Sequence, residues 1–517
     1  MLEIPERFNL AAYFLDDRLT EGRGAHPAVI DDRGTYDYAS VQAMSVRAAH
    51  ALVERGILPE DRVLIALPDR VEFVASFFAT LRIGAVVTMV NPELPDDDYP
   101  YYLDYTRARA LICDASLYAR IRPFLASAKC LRTVIVVDGV QAEADADRSL
   151  VSWDHAIGSA SFAPVMYDTS KDDPAIWLFT SGTSGKPKAA VHLHHDFAWN
   201  TERYAKEVLK IGPDDRTLSV PKLYFGYATG TNLMFPFAVG GTAILFAAKS
   251  TPEKLFELCA KHGATVLTSV PTMINKMTQH PEAPASLGPL RVCTSAGEAL
   301  PEELYRRWMA KFGVEILDGI GSAELFHIYI SNYPGAVKPG SLGRLVPGYE
   351  ARVVGADGHE AVDGEIGTLW VKGDSAAIYY HGAHELSKRV FSGDWVVSGD
   401  LFRRDSDGYF YYAGRADDML KVGGIFVAPT EVESCLSRHE DVLEVAVVGY
   451  TDEDELVKAL AFVVTRGVPA SPSLERSILD HARAGLAHYK VPKRIEFVDA
   501  LPRSDRGKIL RRELRKS

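Results

Sequence analysis

The stretch Leu178-Phe-Thr-Ser-Gly-Thr-Ser-Gly-Lys-Pro-Lys188 sets hydroxyls, two glycines and two lysines directly after the apolar run Ala175 to Phe179. Glycines let backbone N–H groups approach an anion, Ser and Thr hydroxyls add donors, and lysine neutralises charge. The pattern therefore reads as a phosphate-binding loop on the end of a buried strand. It is not the G-x-x-x-x-G-K-[ST] loop, because Gly182 and Gly185 enclose only two residues and Pro187 follows Lys186. A Rossmann fingerprint is absent too. Taken alone, the same composition also fits a solvated turn, so the rest of the chain carries the decision.

Further short polar and glycine-bearing stretches recur downstream: Thr294-Ser-Ala-Gly-Glu298, Asp318-Gly-Ile-Gly-Ser-Ala-Glu324, Ser398-Gly-Asp400, Gly414-Arg-Ala-Asp417 and Gly507-Lys508. The Asp400 carboxylate can accept two hydroxyl donors and the Arg415 guanidinium presents a planar fork. Each has a plainer reading: Asp400 as a turn cap, Arg415 as a structural ion pair, Lys508 as a solvated lysine near the basic tail. The triplet His192, His194, His195 lacks the carboxylate or cysteine partners of a metal site and reads as structural. The aromatic cluster Tyr224 to Tyr227 is open to two readings, core packing or a pocket wall.

These groups need elements to hold them. At 517 residues the chain exceeds the size of one growing hydrophobic core, so two or more domains are expected. From Arg62 onward, strand-length apolar bursts (Val63 to Leu67, Ala110 to Cys113, Thr133 to Val137, Ala243 to Ala247, Thr265 to Val270) alternate with amphipathic stretches of helix length. This predicts layered α/β structure with substantially parallel sheets. After Gly399-Asp400, Arg403 to Tyr412 predicts a hairpin around Asp407-Gly408. Beyond it lie helices over Glu431 to His439 and Ser473 to Ala487, and strands over Val442 to Gly449 and Ala459 to Val464, a small α+β unit. The acidic run Glu143 to Asp147 reads as a solvated loop.

Composition excludes several classes. The hydrophobic fraction of 47% and charged fraction of 24% are those of a globular protein, and the formal charge of −12 argues against nucleic-acid binding. Five scattered cysteines without a C-x-x-C pair disfavour a zinc site or disulfide framework and fit a reducing cytoplasm. Met1 to Leu15 lacks the apolar core of a secretory signal, and Val71 to Val90 is interrupted by Glu72, Arg82 and Gly84. That stretch predicts a packed helix followed by a buried strand, and no membrane association is expected.

Together and in order, these motifs resemble the adenylate-forming superfamily of acyl-CoA synthetases, nonribosomal adenylation domains and firefly luciferase, across essentially the whole chain. The resemblance implies a large N-terminal ATP- and acid-binding domain, residues 1–415, and a small mobile C-terminal domain, residues 416–517, that rotates and carries the adenylation lysine. It implies ATP and Mg²⁺, with coenzyme A as co-substrate. A carboxylate attacks the α-phosphate of ATP to give an acyl-adenylate and pyrophosphate, and a thiol then displaces AMP. By the same resemblance, Thr180, Ser181, Gly182, Thr183 and Lys188 would cradle the β- and γ-phosphates, Glu324 would hold Mg²⁺, and Lys508 would bridge carboxylate and α-phosphate. Asp400 would take the ribose hydroxyls, with Arg415 as a further ribose or phosphate contact. Ala296, Gly297, Glu298, Asp318, Gly319, Ile320 and Gly321 would wall the adenine slot, their glycines letting a flat ring lie against backbone. Asp417 would be the hinge, and Lys421, Gly423 and Gly424 would reach the thiol tunnel. One departure is Ala323, where the superfamily usually has threonine before the metal-binding glutamate.

Within the superfamily, Pro221 to Gly230, Asn232, Phe235 to Phe237 and Ile320 to Asn332 resemble benzoate-CoA ligases and their substituted-benzoate relatives. Gly226, Tyr227, His327 and Ile328 would then surround an aromatic ring, and Phe225 would gate the thiol route. Those ligases usually have alanine where this chain has Gly226, so a methyl-sized space is expected. It admits hydroxybenzoate or 2-aminobenzoate beside benzoate. The implied function is an aryl-carboxylate:CoA ligase. A stand-alone adenylation enzyme loading a carrier protein, and a non-catalytic nucleotide-binding protein, remain as alternatives. A homodimer is compatible with the sequence.

Overall fold

The computed structural model describes residues 3–139, 149–180, 186–415, 420–422, 425–451, 457–503 and 509–515. The acidic run Glu143 to Asp147 lies outside them.

Within these residues, two large sheets dominate. The first has eight strands in the order Tyr379–Tyr380, Lys188–Leu193, Pro174–Thr180, Val86–Met89, Arg62–Ala66, Ala110–Asp114, Thr133–Val137, Ser149–Ser152. Its last six strands run parallel, and its first two pairings are antiparallel. The second has nine strands, from Arg344–Leu345 through Ile328–Ser331, Ile316–Gly321, Val292–Ser295, Val266–Ser269, Arg216–Ser219, Thr242–Ile244 and Pro27–Asp31 to Gly34–Asp37. The strands are short apolar runs, and Thr133–Val137 is buried at every residue, as a strand covered on both faces must be. The Val71–Arg82 helix is likewise buried all round, which accounts for its lack of a polar face. No described helix is long and apolar enough to cross a membrane.

A third sheet is antiparallel, contrary to the pattern of alternation upstream. Glu350–Val354, Gly367–Lys372, Trp395–Arg404 and Phe391–Ser392 follow one another in it, and Phe410–Arg415 pairs with Trp395–Arg404 through the expected turn at Asp407-Gly408. Gly408 takes φ +81°, a conformation that suits glycine. Further on, Val442–Thr451 and Val457–Thr465 pair antiparallel, and Arg494–Phe497 joins in parallel. The Pro429–Leu436 and Pro472–Gly485 helices contribute Val432, Leu436 and Ile478 to the core on that sheet. The expected layered α/β architecture is thus present, with a small α+β unit at its C-terminal end.

Candidate functional site

The hydroxyl-rich loop joins two adjacent strands. Pro174–Thr180 and Lys188–Leu193 pair antiparallel, with Thr180 opposite Lys188, so a hairpin connection opens from the edge of a buried sheet. Ser181, Gly182 and Thr183 lie outside the described residues. At the loop's far end, the Tyr101 hydroxyl donates to the Pro187 carbonyl at 2.5 Å. Lys188 Nζ stands 3.8 Å from the centre of the Tyr380 ring, and the Tyr380 hydroxyl donates to Glu324 Oε1.

Glu324 sits in the short turn Ala323–Leu325, whose three carbonyls are clamped by His192 and by two residues of one segment, Ser375 and Ala377. His192 Nε2 donates to the Ala323 carbonyl at 2.6 Å. The Ala377 N–H donates to the Glu324 carbonyl at 2.8 Å, and Ser375 Oγ donates to the Leu325 carbonyl at 2.9 Å. Next, Phe326 adopts φ +66° and ψ −58° while the His327 N–H bonds back to Leu325 at 2.8 Å. This is a γ-turn with positive φ, a strained form for a bulky residue, held here by burial and by the Phe197 ring at 4.4 Å. The turn links the carboxylate of Glu324 to the ring of His327 over three residues, and no sequence signal announces it.

The histidine triplet is structural in this environment. His192 also contacts Asp196 Oδ2 at 2.7 Å with both side chains fully buried, and His194 Nδ1 accepts from the Leu10 N–H at 3.2 Å. Burial holds His194 down to about 3. No group of metal-ligating residues occurs among the described residues. Ala323 lacks a side-chain hydroxyl, yet its backbone is fixed by His192.

Parallel strands bring two further motifs side by side. Ser295 lies opposite Asp318, and burial pushes the Asp318 carboxyl up to about 8. Beyond the strand, Ala296 is buried, Gly297 takes φ +88° with open space where a Cβ would stand, and Glu298 Oε2 accepts from Thr272 Oγ1 at 2.8 Å. Gly319 and Gly321 also meet a packing constraint. A Cβ at Gly319 would lie 2.6 Å from the Ile330 carbonyl oxygen and one at Gly321 2.5 Å from that of His327, so strand pairing forbids side chains there. Between them, Ile320 pairs with Ile330. Asp400 and Arg415 are register partners in the antiparallel sheet. Burial first, then the charges of Asp400 and Glu324, hold the Tyr329 hydroxyl far above the usual phenol range.

Several residues expected to line the acid pocket lie near one another. Gly226 opens a short helix, and a Cβ there would sit 3.4 Å from Leu178 Cδ1 and 3.7 Å from the Phe326 carbonyl oxygen, ordinary contact distances. Phe225 precedes it, edge-on to Tyr224 at 4.8 Å. Tyr227 donates through its hydroxyl to Thr294 Oγ1 at 2.9 Å. His327 Nε2 donates to the Tyr227 carbonyl at 3.0 Å, and its ring packs against Phe235 at 4.7 Å and Tyr227 at 5.3 Å. Burial presses His327 down to about 3, so the ring is neutral and its buried Nδ1 has no hydrogen-bond partner among the described residues. Ile328 is buried beside it. A separate surface cleft of about 440 Å³, lined by Tyr333, Arg344, Arg404 and Phe410, contains none of these residues.

Sequence reasoning missed Tyr380 as a neighbour of the site, because it is supplied by a strand distant in sequence from the residues it touches. Lys421 lies on the Leu420–Val422 strand opposite Phe426. Asp417, Gly423, Gly424 and Lys508 lie outside the described residues.

The AMP-binding enzyme family matches residues 17–381, and the AMP-binding enzyme C-terminal domain matches residues 431–508. A benzoate–CoA ligase of Thauera aromatica is 42% identical over 519 residues, covering 99% of this chain and 97% of the relative. Two solved structures share the fold over nearly its full length. An anthranilate CoA ligase in complex with anthranoyl-AMP superposes with a TM-score of 0.94 at 34% identity, covering 99% of this chain and 98% of its own. A benzoate CoA ligase from Burkholderia xenovorans LB400 superposes with a TM-score of 0.90 at 41% identity, covering 98% of this chain and 100% of its own.

Proposed function

Because the chain belongs to the AMP-binding enzyme family, we propose that it is an ATP-dependent aryl-carboxylate:CoA ligase acting on benzoate or a small ring-substituted benzoate. The observation that carries this reading is the meeting of a neutral, apolar His327–Tyr227–Ile328 wall with Glu324 across a single three-residue turn. An aromatic acid held by the wall is thereby presented at the phosphate end of the site.

In the first step, a carboxylate oxygen attacks the α-phosphorus of ATP, the bond to the bridging oxygen of the β-phosphate breaks, and pyrophosphate departs. Positioning and charge neutralisation dominate such a transfer. Thr180, Ser181, Gly182, Thr183 and Lys188 hold the β- and γ-phosphates, Asp400 takes the ribose hydroxyls, Arg415 assists at the ribose or phosphate, and Lys508 bridges the attacking carboxylate and the α-phosphate. Ala296 to Glu298 and Asp318 to Gly321 wall the adenine. One carboxylate beside substrate phosphates is the donor set that suits Mg²⁺, so Glu324 is the residue that would hold it. When bound, Mg²⁺ offsets charge on the phosphate oxygens. In the second step the CoA sulfur attacks the acyl carbon, the C–O bond to AMP breaks, and the thiol proton passes to solvent. We assign residues 1–415 to ATP and acid binding and 416–517 to the rotating part, with Asp417 as hinge and Lys421, Gly423 and Gly424 beside the thiol.

His327 Nδ1 is a buried acceptor in want of a donor, which favours a ring bearing a hydroxyl or amino group. The two steps separate experimentally. Lys508→Ala is expected to slow adenylate formation on the order of a hundredfold or more, while thioester formation from supplied aryl-AMP is largely spared. Equal loss in both steps would contradict the assignment.

A further inference from the structure

Tyr380 belongs to none of the nucleotide motifs, yet it touches two of them. It is 2% exposed and lies on the short edge strand Tyr379–Tyr380, which pairs with the strand that begins at Lys188, with Tyr380 opposite Ala190. The His381 N–H donates to the Ala189 carbonyl at 3.0 Å, and the Tyr105 hydroxyl holds the His381 carbonyl at 2.6 Å. On the other side, Ser375 and Ala377 bond to the carbonyls of Leu325 and Glu324. Residues 375–381 therefore staple the strand of Lys188 to the turn of Glu324. At the centre of the staple the phenol hydroxyl donates to Glu324 Oε1 and the ring face lies 3.8 Å from Lys188 Nζ.

We propose that Tyr380 is a positioning residue for the phosphate and metal end of the site, its hydroxyl fixing the Glu324 carboxylate and its ring carrying the Lys188 ammonium. Two side chains that meet a polyphosphate are thereby held in place before it arrives. A phenol-to-carboxylate hydrogen bond is charge-assisted, and the partner that orients a metal-binding carboxylate governs metal affinity through it. An aromatic face attracts an ammonium and holds it in place. This inference rests on the proposed roles of Glu324 and Lys188.

Two substitutions separate the arms. Tyr380→Phe keeps the ring and loses the hydroxyl; Tyr380→Leu loses both. Calorimetric titration of ATP in EDTA and in graded Mg²⁺, read beside adenylate formation, is the measurement. Y380F is expected to bind metal-free ATP as the wild type does, and to need about 10–100-fold more Mg²⁺ for half-saturation, with KM for the aryl acid unchanged. Y380L is expected to weaken metal-free ATP binding as well. In an E324Q background, Y380F is expected to add no further Mg²⁺ effect. An unchanged Mg²⁺ midpoint in Y380F, or an equal effect of Y380F with and without Glu324, would overturn the proposal. A wild-type protein that forms no aryl-adenylate would instead overturn the functional reading, and the calorimetric comparison would still report on the tyrosine.

Discussion

Arg503 approaches Glu298 to 3.7 Å while its other terminal nitrogen donates to Glu444 at 3.0 Å. One guanidinium thus joins the strand Val442–Thr451 of the small α+β unit to the loop beyond Ser295. Burial pushes the Glu298 carboxyl up, the Thr272 bond and the Arg503 charge acting against it.

Arg503 stands five residues before Lys508, so this contact is expected to favour the arrangement in which the lysine serves the first step. A partly exposed pair is worth roughly 0.2–1 kcal/mol. Arg503→Ala should accordingly slow adenylate formation by about twofold to fivefold, with high salt reproducing part of the effect in the wild type. Thioester formation from supplied aryl-AMP should be spared. Stopped-flow assays of the two half-reactions distinguish this from a uniform loss, which would make Arg503 a general structural residue.

Gly226→Ala should fold normally, since the added methyl meets Leu178 Cδ1 at 3.4 Å, an ordinary contact. Its effect should fall on selectivity. The kcat/KM for hydroxy- and aminobenzoates is expected to drop by about tenfold or more relative to benzoate, the scale of one methyl group in a tight pocket. An unchanged ranking of acids would mean that position 226 does not border the ring.

Asp318 gives a pH signature. Its carboxyl is raised from 3.8 to about 8 by burial, so the folded chain keeps a proton that the unfolded chain has lost. The sign follows: this contribution to stability is fully present below pH 4 and is lost as pH rises towards 8, by at most roughly 1.4 kcal/mol per pH unit. Asp318→Asn, neutral throughout, should flatten that slope. Urea titrations at pH 6 and pH 8.5 are expected to show the variant losing less stability than the wild type between the two; equal losses would contradict the assignment.

Much of this was legible in the residues. The apolar bursts at Arg62–Ala66, Ala110–Asp114 and Thr133–Val137 announced a buried parallel sheet because strands covered on both faces need no polar alternation. The helices and strands of the C-terminal unit carried clear periodicity, and the Asp407-Gly408 turn its own chemistry. What stayed hidden was tertiary in origin. Tyr380 reaches Glu324 only because an edge strand far along the chain returns to the strand of Lys188, and local pattern holds no trace of that return. Phe326 violates its own backbone preference, which only the surrounding core enforces. The glycines of Asp318 to Gly321 were visible, but their cause, the close approach of the Ile328–Ser331 strand, was not.

The central claim is tested most directly by mass-spectrometric detection of products after incubation with ATP, Mg²⁺ and a panel of benzoic, substituted benzoic and fatty acids, each with and without CoA. The account predicts aryl-CoA, AMP and pyrophosphate only when an aromatic acid and CoA are both present, with aryl-AMP detectable when CoA is withheld. Activity confined to fatty acids, or aryl-AMP that free CoA fails to consume, would contradict it.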